Sequence, residues 1–146
     1  MKIYYTPGEQ PASQIGDALD ALGKTIADRA NAGNESYTHR LLTGNLDDLL
    51  KKINEEALES ALAAKDYARI SEVGTAEEIS HEQDHLRYEA ADVIYHLLVL
   101  MERCGISLEE LAAELNARMT QEELANRGGI ALLDSAYINR GHHVEK

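Results

Sequence analysis

The sequence VIYHLLVLM at residues 93–101 decides the fold, because it is apolar almost all round the helix that its residues favour. A helix with so little polar surface has to lie at the centre of a protein. We predict that it covers about residues 84–103 and ends before Gly105. Alternating β-branched runs, which would indicate strands, do not occur in the sequence, so the expected fold class is all-α.

Other amphipathic helices are predicted on both sides of this central helix, because apolar residues recur three and four positions apart. Asn45 is the expected N-cap of one of them, and Ser107-Leu-Glu-Glu110 forms a capping box for another. The polar segment 66–84 contains a third capping signal, Thr75-Ala-Glu-Glu78, and is predicted to be a loop with a short exposed helix. The remaining helices are predicted over about residues 12–31, 45–65 and 107–118. Thr120-Gln-Glu-Glu123 repeats the capping-box signal and predicts a short helical turn.

A chain of 146 residues can bury its own core, so we expect a single domain over residues 1–146. The core is expected over about residues 12–118, with a peripheral C-terminal extension over 119–146. About four main helices make a thin bundle, and the central helix has more apolar surface than one small protomer can cover. We therefore expect a homodimer or a dimer of dimers.

Composition argues against several classes of protein. The formal net charge of −12 is unsuited to a nucleic-acid backbone, which needs a basic surface. A single cysteine, Cys104, excludes an internal disulfide and fits a reducing compartment. The amino terminus has no apolar signal core, and no apolar run approaches the ~20 residues that span a bilayer. We expect a cytoplasmic protein that binds neither nucleic acid nor membrane.

The predicted second helix contains a cluster of acidic side chains. Glu56 and Glu59 are three residues apart and Glu55 and Glu59 are four apart, so both pairs share a helix face. Like charges at these spacings destabilise a helix by roughly a few tenths of a kcal/mol, which suggests a counter-ion. The alternative is a solvated acidic face offset by neighbouring lysines.

The central helix adds two carboxylates, Glu89 and Asp92, which are also three residues apart. The rest of that helix is apolar, and a buried ionised carboxylate needs a partner or a metal. Two such pairs on two packed helices, Glu56 with Glu59 and Glu89 with Asp92, would supply four oxygen ligands. Oxygen ligands suit Mg²⁺ or Mn²⁺ far better than zinc. The alternative is that Glu89 and Asp92 form structural salt bridges with lysines of the second helix.

Four strings of the sequence together resemble the phosphoribosyl-ATP pyrophosphatases, a family of the all-α, MazG-like pyrophosphohydrolases. The strings are SYT at 36–38, KKINEEALE at 51–59, AAK at 63–65 and YEAADVIYHLLVL at 88–100. The resemblance covers about residues 15–118 and implies Mg²⁺-dependent hydrolysis of phosphoribosyl-ATP to phosphoribosyl-AMP and pyrophosphate, the second step of histidine biosynthesis. The sequence departs from the family at Asn45 and Asn54, where glycine is usual, and in its longer connection between Glu59 and Glu89.

The resemblance also implies roles for individual residues. Glu56, Glu59, Glu89 and Asp92 match the metal-binding carboxylates. Glu55 matches an additional acid of the family that orients or deprotonates water. Glu55 and its neighbour Glu56, which would hold the metal, are therefore both expected to act in catalysis. Lys51 and Lys52 are expected to contact the phosphates of the substrate. Tyr37 and Tyr95 are expected to contact its nucleoside, and the alternative is that both are half-buried core residues.

Three alternatives stay open. His81-Glu-Gln-Asp-His85 matches the zinc motif HExxH, but Asp84 and its polar surroundings argue against a buried zinc helix. A second alternative is a house-cleaning pyrophosphatase that uses the same carboxylates on non-standard or deoxynucleoside triphosphates. A third is a dimeric helical interaction module, in which the four carboxylates would point apart.

Overall fold

The computed structural model describes residues 3–134, and every regular element in that range is a helix. The predicted all-α fold class is therefore confirmed. None of the helices in this range is long and apolar enough to cross a membrane. The part of the predicted C-terminal extension from residue 135 onward lies outside the described residues. The helices are α1 (Gln14–Arg29), α2 (Tyr37–Thr43), α3 (Leu46–Val73), α4 (Ala76–Arg103), α5 (Leu108–Asn116) and α6 (Gln121–Leu124).

The chain forms two compact units, which meet in sequence between Arg103 and Cys104. The first unit is built round α3 and α4, two helices of 28 residues each that form an antiparallel hairpin. The expected single domain over residues 1–146 stays a prediction.

The hairpin is longer than the sequence analysis predicted. Segment 66–84 was expected to be a loop with a short helix, and that prediction is wrong, because α3 continues to Val73 and α4 starts at Ala76. Only Gly74 and Thr75 connect the two helices. The polar residues that suggested a loop are the solvent-exposed side of two packed helices. The capping box is present, since the Thr75 amide donates to Glu78 Oε2 and the Glu78 amide donates to Thr75 Oγ1.

Residues spaced alternately four and three apart face inward along both arms of the hairpin, and all of them are buried or half-buried. We call them the inner face. Leu49 and Ala63 on α3 are fully buried. The inner face consists of Leu49, Ile53, Glu56, Ser60, Ala63, Tyr67 and Ile70 on α3, and Ile79, Glu82, Leu86, Glu89, Val93, His96 and Leu100 on α4.

Helices α1 and α2 pack against α4 and complete the core of the first unit with Ile26, Leu41, Leu98 and Val99. Helix α2 was not among the predicted helices, because seven residues are too few to show a periodic apolar stripe. The Ser36 hydroxyl caps it by accepting from the amide of His39.

The second unit contains α5 and α6. The predicted capping boxes at both helix starts, Ser107 with Glu110 and Thr120 with Glu123, are confirmed. After α6 the chain returns to the buried side chain of Asn116, whose amide donates to the carbonyl of Ala131 at 2.8 Å. This side chain therefore fixes the segment that follows α6.

Candidate metal centre

Three carboxylates converge on the inner face of the hairpin. Glu56 and Glu59 of α3 and Glu89 of α4 each place one oxygen so that all three oxygens lie within 4.8 Å of one another. Glu56 and Glu89 are only 6% and 8% exposed, whereas Glu59 is exposed. We call these three residues the carboxylate cluster. The cluster therefore extends from the buried interior to the solvent, so a ligand can reach it.

The helix pairing explains why these side chains meet. Glu56 lies on the inner face, seven residues after Leu49 and seven before Ala63, both of which are fully buried. The same stripe that packs apolar side chains along α3 therefore turns the Glu56 carboxylate toward α4. Glu59 lies three residues further along the same side, where the hairpin opens to solvent.

The cluster repels itself electrostatically. Loss of solvent, together with the negative charges of Glu56 and Glu89, raises the pKa of the Glu59 carboxyl above its usual range. Buried carboxylates are tolerated only where a cation or donor compensates their charge. The arrangement therefore favours the binding of a positive ion between the two helices.

Two lysines precede the cluster on α3. Lys52 Nζ lies 3.1 Å from Glu55 Oε2 and 3.4 Å from Glu56 Oε1, and Lys51 Nζ lies 3.7 Å from Glu55 Oε1. The hydrogen bond from Lys52 lowers the pKa of the Glu55 carboxyl. Glu55 is not a member of the carboxylate cluster. Lys52 lies between Glu55 and Glu56, and Glu56 is a member.

A histidine supports the cluster from α4. His85 Nε2 lies 3.0 Å from Glu89 Oε1, one helical turn away. The interpretation of His85 as part of a zinc motif does not predict this contact. The spacing of four residues to Glu89 was the signal that could have found it.

Asp92, the fourth predicted ligand, is half-buried and is not a member of the carboxylate cluster. Its negative charge raises the pKa of the Tyr88 hydroxyl, which places the carboxylate beside that ring. Its backbone carbonyl accepts a hydrogen bond from His96 Nδ1 at 2.8 Å. The structure therefore brings together three of the four predicted ligands.

Tyr37 and Tyr95, the predicted nucleoside contacts, both join α2 to α4. Tyr37 Oη lies 3.1 Å from His96 Nε2, and Tyr95 Oη lies 2.7 Å from Thr38 Oγ1. Because His96 Nδ1 donates to a backbone carbonyl, its Nε2 accepts and the Tyr37 hydroxyl donates. Burial raises the pKa of Tyr37, with opposing contributions from Lys52 and from Glu56, so this ring lies near the carboxylate cluster. Its contact with a nucleoside stays a prediction.

The sequence profile described as phosphoribosyl-ATP pyrophosphohydrolase matches residues 19–119, more than half of the chain. The chain belongs to this family. Phosphoribosyl-ATP pyrophosphatases of three organisms are among its relatives. The Methylobacterium nodulans protein is 41% identical, over 75% of this chain and 90% of its own length. The Dechloromonas aromatica protein is 38% identical, over 77% of this chain and 94% of its own length. The Pyrobaculum calidifontis protein is 36% identical, over 69% of this chain and 94% of its own length.

The region that matches the pyrophosphohydrolase family includes both arms of the hairpin and the whole carboxylate cluster. The zinc motif has a different local structure from a metalloprotease site. Asp84 pairs with Arg87 at 2.6 Å, and His85 is directed at Glu89. Within residues 3–134, only the carboxylate cluster brings at least three candidate metal-binding side chains this close together.

Proposed function

We propose that this protein hydrolyses phosphoribosyl-ATP to phosphoribosyl-AMP and pyrophosphate, the second step of histidine biosynthesis, in the cytoplasm. The convergence of Glu56, Glu59 and Glu89 at the centre of the hairpin is the observation that supports the chemistry. The substrate comes from the relatives, which are named for this reaction and match the chain over most of their length. A nucleotide substrate also fits an acidic protein, provided that a divalent cation joins the two anions.

We further propose that the ion is Mg²⁺, with Mn²⁺ as an alternative, because carboxylate oxygens are the ligands that these hard cations prefer. The proposed ligands are Glu56, Glu59 and Glu89, with Asp92 from the next turn of α4 as the fourth. Ser60 supports the fit. Its hydroxyl oxygen is buried on the inner face without a hydrogen-bond partner among the described residues, and such a group is costly unless a polar ligand reaches it. When bound, the ion supplies charge neutralisation for the phosphates and acidifies a water molecule.

Side chains next to the cluster would perform the remaining steps. Lys52 contacts Glu56 of the cluster and Lys51 contacts Glu55, so both can place positive charge beside the phosphates. Glu55 is the side chain that would orient the attacking water or accept its proton, and the hydrogen bond from Lys52 lowers its pKa and holds it in the ionised form. The water oxygen forms a new bond to phosphorus as the α–β phosphoanhydride bond breaks, and pyrophosphate leaves.

The rival enzyme, a house-cleaning deoxynucleotide pyrophosphatase, would use the same carboxylates and differs only in substrate. The non-enzymatic alternative is disfavoured, because it requires carboxylates that point apart and three of the four converge.

The proposed function is tested by measuring pyrophosphate release from phosphoribosyl-ATP, dCTP, dUTP and ATP, with Mg²⁺ and with EDTA. We expect Mg²⁺-dependent turnover of phosphoribosyl-ATP. We expect Glu56→Gln to lose about 100-fold or more of it, because metal-ion stabilisation of the transition state is worth several kcal/mol. Glu72→Gln, on the exposed side of the same helix, is the matched control and should keep full activity. Turnover of the deoxynucleotides instead would mean that the protein is the rival enzyme, a house-cleaning deoxynucleotide pyrophosphatase.

We also propose that the protein is a homodimer or a dimer of dimers. Apolar side chains are exposed on both long helices: Leu58 and Leu62 share one face of α3, and Ile94 and Leu97 lie next to each other on α4. Exposed apolar surface of this kind favours association. Sedimentation velocity should show a dimer or larger species for the wild type and a shift to monomer for Ile94→Glu. Val73→Glu, at the end of α3 and 81% exposed, is the control that should leave the assembly unchanged.

A further inference from the structure

The two buried carboxylates of the cluster have equivalent neighbours. On α3, Lys52 lies one turn before Glu56, with Nζ 3.4 Å from Oε1. On α4, His85 lies one turn before Glu89, with Nε2 3.0 Å from Oε1. Each arm of the hairpin therefore presents a donor at one position and a buried carboxylate four residues later. The lysine has an expected role toward the phosphates, whereas the histidine has no role in the proposed reaction.

The surroundings of His85 suit a side chain that holds another in place. Its ring is about half exposed, whereas the Glu89 side chain is about nine-tenths buried. On the other side of the ring, Glu82 Oε2 lies 4.0 Å from Nδ1, and Glu82 belongs to the inner face. The imidazole is therefore placed between two carboxylates of α4, with its shorter contact to the one in the cluster.

We propose that His85 is a positioning residue for the metal centre, an inference that rests on the proposed function. The Nε2–H group donates to Glu89 Oε1 and fixes the orientation of that carboxylate toward Glu56 and Glu59. With one Glu89 oxygen held by the imidazole, the carboxylate would keep the orientation in which it can bind the cation. Hydrogen-bonded partners of metal ligands restrict ligand rotation in this way, and their loss typically weakens metal binding by about 10- to 100-fold.

A different role for the same contact leads to the opposite result. If the imidazole only occupies the place that a cation takes, it competes with the metal, and its removal tightens metal binding. The sign of the change in affinity therefore distinguishes a positioning residue from a competitor.

The test is direct binding of Mn²⁺ to the purified full-length protein without nucleotide, measured by the electron paramagnetic resonance signal of free Mn²⁺. We expect His85→Ala to weaken binding about tenfold, the lower end of the usual range because the ring is half exposed. His85→Gln keeps a side-chain N–H donor and should recover most of the affinity. His81→Ala removes an exposed histidine one turn earlier on the same helix and should bind Mn²⁺ like the wild type.

A purely structural role would change the melting temperature in EDTA, so that temperature is measured for every variant and should not fall for His85→Ala. In turnover assays, the Mg²⁺ concentration for half-maximal rate should rise about tenfold, while kcat at saturating Mg²⁺ changes little. Unchanged or tighter Mn²⁺ binding by His85→Ala would overturn the role of His85 and leave the proposed function standing. A wild-type protein that binds no Mn²⁺ and has no metal-dependent turnover would overturn both.

Discussion

The two halves of the α3–α4 hairpin have the same residue spacing but differ in burial. The base consists of residues 46–59 and 89–103, and the tip consists of residues 60–73 and 76–88. The base contains six buried residues, Leu49, Glu56, Glu89, His96, Leu98 and Val99, whereas the tip contains one, Ala63. Helix α2 is hydrogen-bonded to the base through Tyr95 and His96. Spacing therefore determines that the hairpin forms, and the helices that pack against α4 determine which part of it is buried.

Removing equal apolar volume from the two halves should give the largest effect. Leu49→Ala opens a cavity in the fully buried base, and we expect it to lower the free energy of unfolding by about 2–5 kcal/mol. Ile70→Ala removes a half-buried side chain from the tip, and we expect a loss of only about 1 kcal/mol. Urea denaturation followed by circular dichroism measures both. Equal losses would contradict the difference between base and tip.

Repulsion within the carboxylate cluster should lower the free energy of unfolding when no metal is bound, and a bound metal should restore it. In EDTA at neutral pH, Glu56→Gln removes one of three mutually repelling charges, and we expect a rise of about 1 kcal/mol in the free energy of unfolding. In excess Mg²⁺ the wild type should gain stability by ligand binding, and the variant should gain much less. Thermal denaturation in both buffers measures the two effects.

The matched control for this prediction is Glu72→Gln, which changes an exposed carboxylate of the tip that is not a member of the carboxylate cluster. Its stability should respond to Mg²⁺ as the wild type does. If Glu56→Gln is less stable than the wild type in EDTA, the carboxylates are held by Lys52 more strongly than they repel one another.

The smallest predicted effect concerns the attachment of α2 to the base. Tyr95→Phe removes the 2.7 Å hydrogen bond to Thr38 Oγ1, and we expect a loss of about 0.5 kcal/mol in the free energy of unfolding, the lower end of the usual range because the pair is only part-buried. Tyr67→Phe removes a hydroxyl from the tip and serves as the control. Denaturation curves for the pair should differ, and identical curves would mean that the bond adds nothing to stability.

The sequence was sufficient to predict the features that depend on local chemistry. The fold class followed from apolar spacing, the capping boxes at Ser107 and Thr120 from side-chain donors and acceptors, and the convergence of Glu56, Glu59 and Glu89 from helical periodicity. These features depend on residues within one or two turns of each other, or on two helices that pack along their periodic faces.

Features that depend on tertiary contacts were missed. Segment 66–84 is so polar that it suggested a loop, yet each arm of a hairpin needs only one inward stripe, here Tyr67, Ile70 and Ile79. Asp92 was assigned to the cluster for a different, local reason: whether its carboxylate turns to Tyr88, one turn earlier on the same helix, or to the cluster is a choice among rotamers, which residue spacing cannot determine.

Because Gly74 and Thr75 alone connect the two arms, the length of the tip is independent of the geometry of the carboxylate cluster. The carboxylates of Glu56 and Glu89 come together because both arms pack along the same inner face from one tight turn. Adding or removing one seven-residue repeat in each arm would move the turn by about 10 Å while leaving every base residue opposite its present partner. The hairpin of this chain can therefore be lengthened or shortened without disturbing the carboxylate cluster, provided that both arms change together.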